Sequence, residues 1–176
     1  GEMLGNHQQL LKGPQLYDDL TRVPLIARWP REIAPGAEVS ELVQWIDLPA
    51  TFLAASGCAP AAGGQGASLL PLARGQAVDW RSWALCEYRY SGFATDPLIM
   101  TTMLRHGDWK LIVWHGEPAC GTTRDGELYN LAEDPGELDN LYHRPEHAGQ
   151  RRRMKALLRD AMAEAEDRSA PRARPW

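Results

Sequence analysis

Two side chains near the start of the sequence have the chemistry to act on an anion. Lys12 precedes a Gly-Pro turn, in a loop that leads to the apolar run Val23 to Trp29. Its ammonium could hold an anionic oxygen, and His7 on the same loop could donate a proton beside an anion. On residue chemistry alone, a lysine or histidine in a polar loop is more often simply solvated. Neither residue therefore identifies a site by itself.

Other side chains of catalytic type have a simpler structural interpretation. Asp18 and Asp19 are adjacent, so on a short helix their carboxylates face different directions and suit a helix start better than a cation site. Asp134-Pro135-Gly136-Glu137 is a turn sequence, because proline presets φ and the aspartate bonds back to the chain. Asn140 can brace the same loop. Cys58 lies in an Ala/Gly-rich loop and is interpreted as incidental.

Composition and charge exclude several classes of protein. The chain has 176 residues and a net charge of −4, whereas nucleic-acid binding favours a basic face, so no nucleic-acid partner is expected. No apolar run approaches the ~20 residues that span a bilayer, so no membrane partner is expected either. The three cysteines form no Cys-x-x-Cys pair, which argues against a zinc site. Low cysteine use leans towards a reducing, cytoplasmic compartment, but the localisation stays unknown.

A first region, residues 1–78, contains the elements that must position Lys12 and His7. Its sequence pattern is typical of the trailing part of an α/β sheet domain. The continuous apolar run Val23 to Trp29 predicts a strand that is buried on both faces. Asp47 is predicted as the N-cap of a helix that ends before Gly57, and Ser68 as the cap of a short helix. Because the sequence begins at Gly1 without a Met or a signal, we expect it to start within a domain.

A second region, residues 79–176, predicts a small α+β subdomain. Short turns between successive strands, including the hairpin signal His106-Gly107-Asp108, indicate a four-stranded antiparallel sheet. Apolar residues at helical spacing from Pro145 to about Arg168 predict one long terminal helix that packs on the sheet, followed by a frayed tail from Ser169. The predicted strands are residues 84–88, 99–105, 109–114 and 127–131.

Five segments in series resemble the sulfatases of the alkaline-phosphatase-like superfamily. Sequences of this family contain, in order, a Gly-Asp-His segment, a Lys-Gly pair and an Arg-Val-Pro-Leu strand. These are followed by the motifs D-x-x-P-T-L-L, G-x-S-L-L-P-L, G-x-x-K-L-I and E-L-Y-D-L-x-x-D-P-x-E-x-x-N-L. The order and approximate spacing agree along nearly the whole chain. The matching segments here are residues 1–28, Trp45 to Leu53, Gly66 to Leu72, Gly107 to Ile112 and Glu127 to Leu141.

The resemblance implies hydrolysis of sulfate esters by a formylglycine nucleophile and a bound Ca²⁺ or Mg²⁺. Lys12 matches the family lysine that contacts the sulfate and bridging oxygens. His7 falls where many members carry a histidine, although Asn6 replaces the usual Asp. The sequence contains no Cys/Ser-x-Pro-Ser-Arg element, and the family's last metal ligands would fall directly before Gly1. No metal ligand is therefore predicted within this chain.

Three interpretations stay open at this point. The first is the C-terminal part of a sulfatase that acts on a small sulfated substrate, is inactive as this piece and needs the missing N-terminal part of its own chain. The second is a phosphonate monoester or phosphodiester hydrolase of the same superfamily. The third is a non-catalytic α+β binding module. The first interpretation predicts exposed apolar surface near Val23 to Trp29, because a strand covered on both faces would lose its neighbours.

Overall fold

The computed structural model describes residues 1–89, 99–115 and 126–166. The chain forms two compact units. The first contains Gly1–Leu25 and Leu85–Ala161, and the second contains Ile26–Ala84 and the chain from Met162. The predicted domains, residues 1–78 and 79–176, refer to a longer protein and stay a prediction. The predicted tail from Ser169 lies outside the described residues.

A four-stranded sheet with the strand order β1-β2-β3-β4 confirms the predicted architecture. β2 and β3 form an antiparallel hairpin in which Met103 lies opposite Ile112, and β3 pairs antiparallel with β4. Gly107 in the hairpin turn has a φ of 57°, a conformation that glycine adopts without strain. The strands are β1 Trp83–Arg89, β2 Met100–His106, β3 Trp109–His115 and β4 Glu127–Asn130.

Four α-helices accompany the sheet in the described part of the chain. The predicted terminal helix begins with a 3-10 turn at Pro145–His147 and continues as α4. It buries Met154, Leu158 and Ala161, which recur at the spacing of one helical face. None of the described helices is long and apolar enough to cross a membrane. The helices are α1 Asp18–Thr21, α2 Asp47–Ala55, α3 Leu70–Ala73 and α4 Ala148–Glu164.

The core of the first unit joins the start of the chain to the sheet. Met3 is fully buried, although it lies in a polar loop, and Tyr17 is buried just before α1. Burial of such side chains contributes roughly 1.5–3 kcal/mol each, which fixes the N-terminal loop to the sheet. The buried cluster contains Met3, Leu16, Tyr17, Met103, Ile112, Tyr129 and Leu131.

The predicted buried strand at Val23 to Trp29 was wrong. These residues belong to no strand, and the side chains of Leu25 and Ile26 are 48% and 90% exposed. An apolar run forms a doubly covered strand only when neighbouring strands pair with it, and none of the described strands does so. The exposed apolar surface expected near Val23 to Trp29 is present at these two residues.

The predicted helix at Asp47 is present, but its cap was predicted incorrectly. Ile46 is the N-cap residue, and Asp47 is the first helical residue with its carboxylate fully buried. That carboxylate accepts hydrogen bonds from the backbone N–H groups of Gln44 (2.8 Å) and Ala67 (3.0 Å) and pairs with Arg81. Asp47 therefore ties three segments of the second unit together instead of capping its own helix.

Candidate functional site

The N-terminal loop, residues 1–13, carries both predicted site residues in a closed and strained conformation. Gly5 N–H donates to the Gln9 carbonyl at 2.8 Å, and Leu4 N–H donates to the Leu10 carbonyl at 3.3 Å. Leu4 and His7 have positive φ values of 48° and 49°, which non-glycine residues rarely adopt. Such strain persists only where surrounding contacts hold it, and here the buried Met3 supplies one such contact.

Lys12 presents a solvent-accessible ammonium that is already paired with an anion. Its side chain is 75% exposed, and Nζ lies 3.1 Å from Oε1 of Glu2. The backbone N–H of Lys12 donates to the other oxygen, Oε2 of Glu2, at 2.7 Å. These hydrogen bonds, first that from the ammonium and then that from the amide, lower the pKa of the Glu2 carboxyl. Lys12 thus offers two converging N–H donors to one oxyanion.

His7 is held by an aromatic stack. Its ring lies parallel to the Tyr17 ring, with an interplanar angle of 4° and 3.9 Å between the centroids. The neighbouring Asn6 side chain donates to Asp19 at 2.9 Å. Stacking occupies a face of the imidazole and leaves its two nitrogens in the ring plane, where hydrogen bonds form. The arrangement therefore orients a potential proton donor.

His7, but not Lys12, lines a cavity beside the N-terminal loop. His7 lines a cavity of about 220 Å³ in the first unit, and Lys12 is not among the lining residues. The two side chains share the N-terminal loop, but only His7 faces this space. The lining residues are Asn6, His7, Asp18, Asp19, Pro135, Gly136, Glu137 and Leu138.

The carboxylates of this cavity are occupied by protein donors. Asp18 pairs with Lys110 at 2.8 Å and with Arg105 at 3.3 Å. Glu137 pairs with the same Lys110 at 2.8 Å and accepts the Asp18 backbone N–H at 2.6 Å. Asp19 accepts from Asn6. Because each carboxylate already has a donor, the cavity has the character of an internal ion network and not of a cation site.

The sequence interpretation missed this buried network. Asp18 was assigned only to a helix start, which is confirmed, and Glu137 only to a turn, which is also confirmed. The Lys110 side chain is fully buried on β3, and burial raises the pKa of Glu137 despite the opposing effect of Lys110. A lysine within the apolar strand sequence Trp109 to Trp114 was the available signal, since a buried lysine is almost always paired.

A second buried carboxylate supports the Tyr17 side of the stack. Glu127 accepts the hydroxyl of Tyr129 at 2.6 Å and the indole N–H of Trp114 at 2.9 Å. Burial, together with the negative charge of Glu127, raises the pKa values of both Tyr17 and Tyr129. Both phenols therefore stay neutral. The Tyr17 ring beneath His7 thus packs beside buried polar groups that have hydrogen-bond partners.

The described residues do not fit a metal site. Within residues 1–89, 99–115 and 126–166, no group of three or more His, Cys, Asp or Glu side chains is placed to hold a metal ion. Cys58 is a free, exposed cysteine and Cys86 a free, partly buried one. The Asn140 side chain accepts the Leu128 backbone N–H and donates to the Gly126 carbonyl, so it braces β4 and not the Asp134 to Glu137 turn for which the sequence predicted it.

Comparison with known proteins gives a consistent set of relatives. The chain is 29% identical over 170 residues to an N-acetylglucosamine-6-O-sulfatase of Bacteroides thetaiotaomicron, with 95% of this chain and 29% of that protein covered. BT4656, solved in complex with its substrate D-glucosamine-2-N,6-O-disulfate, superposes with a TM-score of 0.79 and 26% identity over 97% of this chain and 34% of its own. The chain thus spans about a third of the length of these relatives.

A hydrolase of another substrate class has a closely similar fold. The phosphonate monoester hydrolase SpPMH from Silicibacter pomeroyi superposes with a TM-score of 0.81 and 25% identity, over 96% of this chain and 34% of that one. The sequence model of the family "N-sulphoglucosamine sulphohydrolase, C-terminal" matches residues 5–164. This match covers both strands of the hairpin, the long helix, and the part of the N-terminal loop that carries His7 and Lys12. The chain belongs to this family of sulfatase C-terminal domains, and its fold is that of the sulfatases of the alkaline-phosphatase-like superfamily.

Proposed function

We propose that this chain is the C-terminal part of a longer sulfatase that hydrolyses sulfate esters, and that Lys12 belongs to its sulfate site. The observation that carries the proposal is the geometry at Lys12. Its exposed ammonium and its own amide converge on one oxyanion, within the segment that matches the family. A sulfate ester offers the same donors two oxygens on one centre.

The chemistry that this chain contributes is charge stabilisation. When the S–O bond of the ester breaks, negative charge develops on the leaving oxygen. The Lys12 ammonium would stabilise that charge more than it stabilises the ground state, which lowers the barrier. His7 is the second candidate, as the donor of a proton to the leaving oxygen, because its stack on Tyr17 fixes the direction of its nitrogens.

The remaining groups would come from the longer protein. A formylglycine and a bound Ca²⁺ or Mg²⁺ are general to the family, but the described residues do not fit a metal site and the sequence has no Cys/Ser-x-Pro-Ser-Arg element. The partner of this chain is therefore the N-terminal part of its own protein, and the 176-residue chain alone is expected to be inactive. The exposed Leu25 and Ile26 support this partnership.

The relatives suggest which substrate class to assay first. Two of them are named for sulfated glucosamines, so a small sulfated amino sugar is the first compound to test. A phosphonate monoester hydrolase is the second candidate, because SpPMH shares the fold. Turnover of an aryl sulfate but not of an aryl phosphonate by the longer protein would favour the sulfatase.

The decisive variant is Lys12→Ala in the longer protein. Loss of one preorganised donor to a developing oxyanion typically lowers kcat by about 10²–10³-fold, and we expect a loss of this order with an aryl sulfate. Lys155→Ala is the matched control, because Lys155 lies on α4 with its ammonium over the Tyr142 ring and has no part in the proposed site. An unchanged kcat in Lys12→Ala would remove Lys12 from the mechanism.

A further inference from the structure

The carboxylate of Glu2 occupies both donors that Lys12 could offer to a substrate. Oε1 lies 3.1 Å from the ammonium nitrogen, and Oε2 lies 2.7 Å from the backbone nitrogen of the same lysine. A carboxylate and a sulfate ester each present two oxygens bonded to one atom. Glu2 and a sulfate group at Lys12 therefore cannot use these two donors at once.

The pair is accessible enough to exchange. The side chains of Lys12 and Glu2 are 75% and 37% exposed. Ion pairs in solvent are weak, because water competes for both charges and two long side chains lose freedom when they pair. A substrate oxyanion can therefore displace the Glu2 carboxylate, which returns to water. Burial does not trap Glu2 in place, in contrast to Glu137.

We propose that Glu2 tunes the anion affinity of the site, as an internal competitor that a sulfate group must displace from Lys12 before it binds. The inference rests on the proposed role of Lys12. It follows that Glu2 sets the affinity of the site for anions. This competition weakens the binding of every anion at Lys12, so a sulfate group binds tightly only where other parts of the site also hold it.

The test is Glu2→Gln in the longer protein, with inorganic sulfate as the probe. The amide retains an acceptor for the Lys12 backbone N–H but carries no charge. At low ionic strength, where surface pairs are least screened, we expect the inhibition constant of sulfate and the KM of an aryl sulfate to fall by about two- to fivefold, the range of an exposed ion pair.

Glu133→Gln is the matched control, since it removes the same charge from an exposed position in the same unit. An inhibition constant that stays the same or rises in Glu2→Gln, or falls equally in Glu133→Gln, would overturn the proposal. The outcome is distinguishable from failure of the proposed function. An active Lys12→Ala enzyme refutes the role of Lys12, whereas an inactive one combined with an unaltered Glu2→Gln enzyme refutes only the role of Glu2.

Discussion

Replacement of Lys110 by methionine should open the hairpin that supports the N-terminal loop. Lys110 lies on β3 with its side chain fully buried, and its ammonium is 2.8 Å from carboxylate oxygens of both Asp18 and Glu137. Methionine keeps most of the length of the side chain but removes the charge. Two carboxylates then remain close together, and that of Glu137 is almost completely buried.

The size of the effect follows from the partners that remain. Asp18 keeps Arg105 at 3.3 Å, whereas Glu137 keeps only the backbone N–H of Asp18 at 2.6 Å. Removal of one member of a buried ion pair costs about 3–5 kcal/mol, because the other charge is left without compensation. Because these partners remain, we expect Lys110→Met to cost about 3 kcal/mol, at the lower end of this range. This cost corresponds to about two orders of magnitude in the equilibrium constant for opening of the hairpin.

Hydrogen exchange in the longer protein measures this opening without complete unfolding. Peptides from the hairpin of β2 and β3 should exchange about 100-fold faster in Lys110→Met than in the original protein. Lys155→Met is the control, because it loses the same charge from the surface of α4. An acceleration below tenfold would refute the idea that Lys110 compensates the buried carboxylates.

A second variant and a change of pH test the stated cause. In Lys110→Met with Glu137→Gln, the uncompensated charge is gone, so the double variant should exchange more slowly than Lys110→Met alone. The pKa of Glu137 is raised by burial, and loss of Lys110 removes an opposing effect. A carboxyl with a raised folded-state pKa favours the fold below its unfolded pKa and loses that contribution as pH rises. The defect should therefore be smaller at pH 5 than at pH 8.

Two further predictions concern Asp47 and His115. Asp47→Ala should destabilise the second unit by about 3 kcal/mol, because it leaves Arg81 without its carboxylate partner. Hydrogen exchange in α2 should then be faster, and Asp160→Ala, which changes an exposed aspartate, is the control. Burial, followed by the charge of Arg89, lowers the pKa of His115, so the folded state favours the neutral ring. The free energy of unfolding should therefore fall as pH drops below the unfolded-state pKa near 6.5. Thermal unfolding should show a smaller loss of stability with falling pH in His115→Gln, and an identical loss would contradict this role of His115.

The sheet and the terminal helix were predictable because their signals are local. The hairpin signal at Gly107, the short apolar strand sequences around it and the spacing of Met154, Leu158 and Ala161 depend only on nearby residues. The run Val23 to Trp29 failed because a strand requires partners, and hydrophobicity alone does not supply them. Asp47 failed for a related reason: its carboxylate has partners twenty and more residues away.

The sequence by itself determined the family, the pattern of strands and helices, and the position of Lys12 and His7 in one loop. Only the tertiary structure decided what these residues contact. The Glu2 carboxylate on Lys12, the Tyr17 ring beneath His7 and the buried Lys110 all depend on side chains brought together by chain reversal. The physical reason is that hydrophobic periodicity is a property of neighbouring residues, whereas charge pairing and stacking depend on distances of a few ångströms between residues ten or more positions apart.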